Sequence, residues 1–221
     1  VAVGEAGLDY DREQFCGRGV QREAFAAQVA LAGELRLPMF LHNRNTGGDF
    51  VAMAREHHAR LLPRGGVVHS WTDSAEEMRA LVELGLHIGV NGCSLKSDEN
   101  LAVVREIPLH RIMLETDCPY CTMRPSHAGP KLVPAAVLSA GPPAKDKKKF
   151  EEGFPVKGRG EPRNIVEVAA AVAAVKGVEV EDVARAAFNN SMRMFWPEEA
   201  RDMGESPYDW EIAATAPPLQ R

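Results

Sequence analysis

Short apolar runs alternating with longer amphipathic ones leave this chain few folds to choose from. The apolar runs lie at 1–5, 39–42, 66–69, 87–91 and 111–117, and the stretches between them repeat their apolar residues at three- and four-residue spacing. Runs of the first kind are β-strands and stretches of the second kind are helices with one buried face. Strict alternation of the two makes βαβ units, and therefore a parallel sheet. Helices are expected over 20–35, 49–61, 74–84 and 98–107, the first carrying Phe25, Val29, Ala32 and Leu35 on one side. Ser74 ahead of Glu77, and Ser97 ahead of Asp98 and Glu99, read as helix N-caps.

Beyond 117 the rhythm breaks. Residues 125–162 are rich in Pro, Gly and Lys, including the run Lys145-Asp146-Lys147-Lys148-Lys149, and read as a long loop on the side of the strand ends. Two more helices are expected over 164–176 and 181–195, followed from 198 to 221 by a loosely packed tail with Pro207, Pro217 and Pro218. The expected organisation is one α/β domain over 1–197 and that tail. A chain of 221 residues with 45% hydrophobic and 26% charged residues is long enough for one sizeable core. Its net charge of −5 supplies no global positive field, so a phosphate ligand would have to be attracted locally. Four cysteines are too sparse for a disulfide framework, which points to reduced thiols and to the cytoplasm or nucleus. No apolar run approaches the ~20 residues that a membrane span needs.

The chemistry sits where the strands stop. Four of the runs finish on a carboxylate or an imidazole: Glu5, His42, His69 and Asp117. In parallel sheets and barrels the carboxyl ends of strands are where catalytic groups gather. A buried strand end offers an ionisable group no partner unless a cation or a reaction supplies one. Together the four form a mixed oxygen and nitrogen ligand set suited to one or two divalent cations, Mg²⁺, Mn²⁺ or Zn²⁺, with the imidazoles leaning away from Mg²⁺. Glu5 could bridge two such ions. Asp117, beside Glu115, could hold a metal and take the proton from a bound water. If Asp117 ends a strand, alternation points Glu115 the same way, one layer deeper.

Arg44, two residues after His42, Lys96 after the fourth run and Arg159 in the long loop are candidates to meet a phosphate. His127 either braces its loop or touches substrate. His57, His58 and His110 read as surface residues, His87 opens its strand rather than closing it, and the Lys145 to Lys149 run reads as solvated.

At these residues the chain resembles the TatD family of metal-dependent deoxyribonucleases. The blocks that carry the likeness are Gly4-Glu5-Ala6-Gly7-Leu8-Asp9, Leu41-His42-Asn43-Arg44, Val68-His69-Ser70, Gly89-Val90-Asn91-Gly92-Cys93-Ser94, Glu115-Thr116-Asp117-Cys118-Pro119 and Arg159-Gly160-Glu161-Pro162. The resemblance implies a (β/α)₈ TIM-type barrel of the metal-dependent hydrolase kind. It further implies a one- or two-metal site and hydrolysis of DNA phosphodiesters, at single strands or 3′ ends. Carried over by position, Glu5 bridges the metals, His42 and His69 bind one of them, and Asp117 binds the other and serves the water. There are two departures. The family carries further βα units ahead of the glutamate strand, whereas this chain begins at Val1 inside that strand, which reads as a missing N-terminal part. Gly160 also stands where the family has Asn. Two rival readings accompany the nuclease: an amide or ester hydrolase of the wider metal-dependent type, and a catalytically silent binding module.

Overall fold

A computed structural model of the chain describes residues 1–61, 64–138 and 141–202. Its first elements are β1 (Val3–Asp9), α1 (Arg18–Leu35), β2 (Met39–Arg44), α2 (Asp49–Glu56) and α3 (His58–Leu61). They are followed by β3 (Gly66–Val68), α4 (Ala75–Glu83), β4 (His87–Val90), α5 (Asp98–Glu106) and β5 (Ile112–Leu114). Last come α6 (Ala135–Leu138), α7 (Ile165–Lys176), α8 (Val180–Phe195) and α9 (Pro197–Asp202). The strands form one five-stranded sheet in the order β1-β2-β3-β4-β5, parallel in each of the first three pairs. No described helix is long and apolar enough to cross a membrane.

The chain divides into two compact units. The first, built from Val1–Gly89, Ile107–Met113 and the described residues from Arg185 to Asp202, holds most of the sheet. On β1 and β2 alternation separates two faces. Ala6, Leu8, Met39 and Leu41 are fully buried, and α1 packs on β1 through its own buried stripe of Phe25, Val29 and Ala32. The other face carries Phe40, His42 and Arg44, which are partly accessible. Phe40 there joins a cluster of Val67, Met113, Met194 and Phe195. Buried Asn190 on α8 ties this unit together by donating to the carbonyls of Leu109 and Ile112 at 2.9 and 2.8 Å.

The second unit comprises Val90–Glu106 and Leu114–Ala184. Its centre is α7, whose run of Ala and Val is buried from Val168 to Ala173 and again at Val175, as suits a helix apolar on nearly every side. Helix α5 packs against it, and the ends are pinned by Arg105 Nε to the Val175 carbonyl at 3.1 Å and Lys176 Nζ to the Arg105 carbonyl at 3.2 Å. Both cations thus meet backbone carbonyls at a helix C-terminus. Among the described residues, the segment 125–162 holds short helical turns and a bridge between Lys145 and Val156.

Several elements differ from the sequence expectation. Strand β5 ends at Leu114 and not at Asp117, because Thr116 Oγ1 accepts from the Cys118 amide at 3.4 Å and Asp117 takes a left-handed φ of 50°. Alternation therefore cannot relate Glu115 to Asp117. The helix expected over 49–61 breaks at His57 into α2 and α3. Ser74 and Ser97 cap α4 and α5 as expected, Ser74 through the Glu77 amide and Ser97 through reciprocal hydrogen bonds with Asn100. Residues 197–202 form a helix where a loose tail was expected, and the remainder of that tail lies outside the described residues.

Candidate metal centre

The site begins with a mismatch between β1 and β2. Val3 pairs with Met39, but Ala6 pairs with Leu41, so β1 carries an extra residue between them and Glu5 lies in the bulge. Bulges re-aim side chains at strand rims. The register then runs Gly7 opposite His42 and Asp9 opposite Arg44. A side chain at Gly7 would put its Cβ 1.9 Å from the His42 carbonyl oxygen, so the strands approach this closely only with glycine there. His42 consequently sits over a residue without a side chain, with Glu5 on one flank and Asp9 on the other.

His69 follows β3 directly, and its amide still bonds the Leu41 carbonyl at 2.9 Å. The result is a triangle. Glu5 Oε1 lies 2.9 Å from His42 Nδ1 and 2.9 Å from His69 Nε2, and the two ring nitrogens are 3.1 Å apart. Two imidazole nitrogens facing one carboxylate oxygen and each other have more lone pairs than protons to share, and a cation satisfies all three at once. Separations near 3 Å are also those of adjacent ligands about 2.1 Å from a common ion. The residues present therefore fit a divalent cation. The His side chains are 17% and 7% exposed and Glu5 is 52% exposed, so the triangle is buried behind and open at its carboxylate. Among the described residues these three form the only group of His, Cys, Asp or Glu ligands close enough to share an ion.

Burial lowers the His42 pKa, as do the neighbouring His69 and Arg44, against an opposing pull from Glu5 and Asp9. The shift favours the neutral ring, the form that ligates. Its other nitrogen, Nε2, faces Asp9 Oδ2 at 3.3 Å, and that oxygen also takes Arg44 Nη1 at 3.2 Å. The contact with His42 is at an ion-pair distance without hydrogen-bond geometry, so Asp9 acts on the imidazole as a nearby negative charge. It stands in the Gly4 to Asp9 block but was not read as a site residue, since only the pairing of β1 with β2 shows what it touches. Asn43, buried beside His42, donates to Asp73 Oδ2 at 2.8 Å and accepts from Thr46 Oγ1 at 2.7 Å. Burial and the nearby Glu77 push Asp73 up to about 6.

The remaining predicted residues, save Arg44, belong to the second unit. Asp117 is exposed on its loop, where Cys121 Sγ donates to its Oδ2 at 3.1 Å. Cys93 Sγ in turn donates to Cys121 Sγ at 3.2 Å. These bonds and burial hold the Cys121 thiol well above its ordinary pKa. His127 Nδ1 accepts from the Arg124 amide at 3.3 Å, the loop-bracing role, and burial with Arg124 and Lys96 lowers its pKa. Lys96 is exposed; its carbonyl accepts from Ala128. Arg159 is exposed at a cleft of about 390 Å³ together with Thr122, Arg163 and Asn164. His58 was read as a surface residue but its Nε2 meets the Leu84 carbonyl at 3.2 Å.

The model of TatD related DNases matches residues 1–196. The chain belongs to the TatD DNase family. A TatD relative, the Deoxyribonuclease Tat-D of Schizosaccharomyces pombe, is 45% identical over 194 residues, which are 88% of this chain and 61% of that protein. The 3'-5' ssDNA/RNA exonuclease TatD of a Rahnella species is 41% identical over 134 residues, 59% of this chain and 50% of that one. A crystal structure of a TatD family hydrolase from Entamoeba histolytica superposes with a TM-score of 0.80 at 33% identity, covering 89% of this chain and 64% of that one. The fold class is that of the TatD hydrolases, the TIM-barrel type. The chain spans between half and somewhat under two-thirds of the length of these relatives.

Proposed function

We propose that this TatD chain serves a divalent-metal-dependent deoxyribonuclease that hydrolyses DNA phosphodiesters, working from the 3′ end of single strands. The observation that carries the reading is the convergence of Glu5 Oε1, His42 Nδ1 and His69 Nε2 within 3.1 Å of one another on TatD motif positions. These three would hold the first cation, with Mn²⁺ or Mg²⁺ favoured by the carboxylate and Zn²⁺ compatible with the imidazoles. When bound, a divalent cation in such a set acidifies a water and offsets charge on a phosphoryl oxygen. Glu5, the exposed member, keeps a face turned to solvent for a second ion and the water. Asp9 places a negative charge on the far side of the His42 ring, which favours a proton at Nε2 and leaves Nδ1 to the cation. Asp117, taken from the matching motif, would bind the second ion and receive the water's proton. Arg44, Lys96, His127 and Arg159 are assigned to the substrate backbone, where guanidinium groups pair well with phosphate. The free cysteines favour the cytoplasm or nucleus as the place of action.

The test is a single-stranded oligonucleotide labelled at its 3′ end, incubated with the protein and Mn²⁺ or Mg²⁺. Labelled mononucleotide should appear first, and Asp117→Ala and His69→Ala should each stop its release. Digestion that proceeds unchanged in both variants would overturn the assignment, and products that lose a 5′ label first would overturn the polarity.

A further inference from the structure

Two loops of the second unit bring a pair of thiols together beside Asp117. Asn91 Oδ1 accepts from the Cys93 amide at 2.9 Å, which fixes the turn after β4. Gly92 in that turn lies against the loop after β5 so closely that a Cβ would fall 2.0 Å from the Cys121 carbonyl oxygen. This backbone contact sets Cys93 Sγ 3.2 Å from Cys121 Sγ, and Cys121 in turn donates to Asp117 Oδ2 at 3.1 Å. Neither cysteine is in a disulfide and both are only partly buried, so a small oxidant reaches them. A sulfur pair at that separation needs about one ångström of closure to reach the ~2.05 Å of a disulfide, within reach of side-chain rotation.

We propose that Cys93 and Cys121 form a redox modification site, joined to a disulfide by hydroperoxides and reopened by thiols, and that closing it disables Asp117. The activity consequence rests on the role of Asp117 put forward above; the disulfide itself does not. The Cys121 S–H is held by the carboxylate, so the Cys93 sulfur attacks the peroxide and the proton it shares with Cys121 Sγ passes to the departing oxygen. Its attack breaks the O–O bond, giving Cys93 sulfenic acid and releasing water or an alcohol. The Cys121 sulfur then displaces the sulfenic oxygen, its proton leaving with that oxygen as water. Two electrons pass from the thiol pair to the peroxide. Asp117 loses its thiol donor, and its loop becomes tied to the turn after β4.

The whole chain, treated with one equivalent of hydrogen peroxide, should fall from four free thiols to two. Tryptic digestion should then yield a linked pair of peptides, 80–96 and 112–131, with fragmentation placing the bond on Cys93 and Cys121. Dithiothreitol should restore all four thiols. Cys93→Ser should give no linked pair, and Cys118→Ser should leave the link intact. A bond confined to Cys118 and Cys121, or retention of four thiols, overturns the proposal. Manganese-dependent oligonucleotide hydrolysis should fall about tenfold on linking, the scale of one lost hydrogen bond. A linked protein as active as the reduced one overturns the regulatory half. A reduced protein with no hydrolysis at all counts against the nuclease reading, and the thiol count still decides the disulfide.

Discussion

Replacing His87 by leucine should flatten the acid limb of the stability curve. His87 opens β4 opposite Val67, and its Nδ1 is buried without a hydrogen-bond partner. Burial, reinforced by the positive charges of Arg111, His110 and Arg193, pushes its pKa down from 6.5 to about 3. Between those values the unfolded chain takes up a proton that the folded one refuses, so stability is complete above pH 6.5 and is lost as pH falls. One such proton costs ~1.4 kcal/mol per pH unit, or about 2.5 kcal/mol between pH 6 and pH 4. Asp73 works in the opposite sense: its pKa, raised to about 6, contributes stability at low pH that is lost as pH rises through that value. The wild-type curve alone therefore mixes two slopes. The difference between wild type and His87→Leu isolates one of them. Urea unfolding of both proteins at half-unit steps from pH 6 to pH 4 should show that difference moving by about 2.5 kcal/mol in favour of the variant. Parallel curves would refute the reasoning, since a histidine accommodated in its charged form leaves no such divergence.

Gly7→Ala should cost at least ~3 kcal/mol, because the new Cβ meets the His42 carbonyl at 1.9 Å; a melting temperature within a few degrees of wild type would contradict the β1–β2 register. Asn190→Leu strips the Leu109 and Ile112 carbonyls of their donor and should cost about 2–4 kcal/mol in urea unfolding. Asp9→Asn should leave the fold intact while weakening Mn²⁺ binding about tenfold, because His42 Nε2 loses the anion behind it; calorimetry on the variant reads this directly.

The sequence made the strands leading to His42 and His69 legible, because each apolar run is short and reaches a single ionisable residue, but β1 and β2 run on past Glu5 and His42 to Asp9 and Arg44. The alternation of strands and helices was legible for the same reason. What stayed hidden depends on contacts across the chain. Asp9 stands in plain view four residues after Glu5, yet its partnership with His42 follows from a bulge between Val3 and Ala6 that composition does not announce. The end of β5 at Leu114 is decided by a side-chain bond from Thr116 that competes with the ladder. His58 looked solvated within a polar stretch, but the helix break at His57 turns it toward the Leu84 carbonyl. The thiol pair required the close approach of Gly92 to Cys121, which no spacing in the sequence marks.

Titration calorimetry of the folded protein with Mn²⁺ bears most directly on the triangle of Glu5, His42 and His69. The wild type should bind with a saturable heat, and Glu5→Gln and His69→Ala, checked by circular dichroism for retained fold, should each reduce that affinity at least tenfold. Undiminished Mn²⁺ binding in both variants would mean that these side chains do not hold the ion.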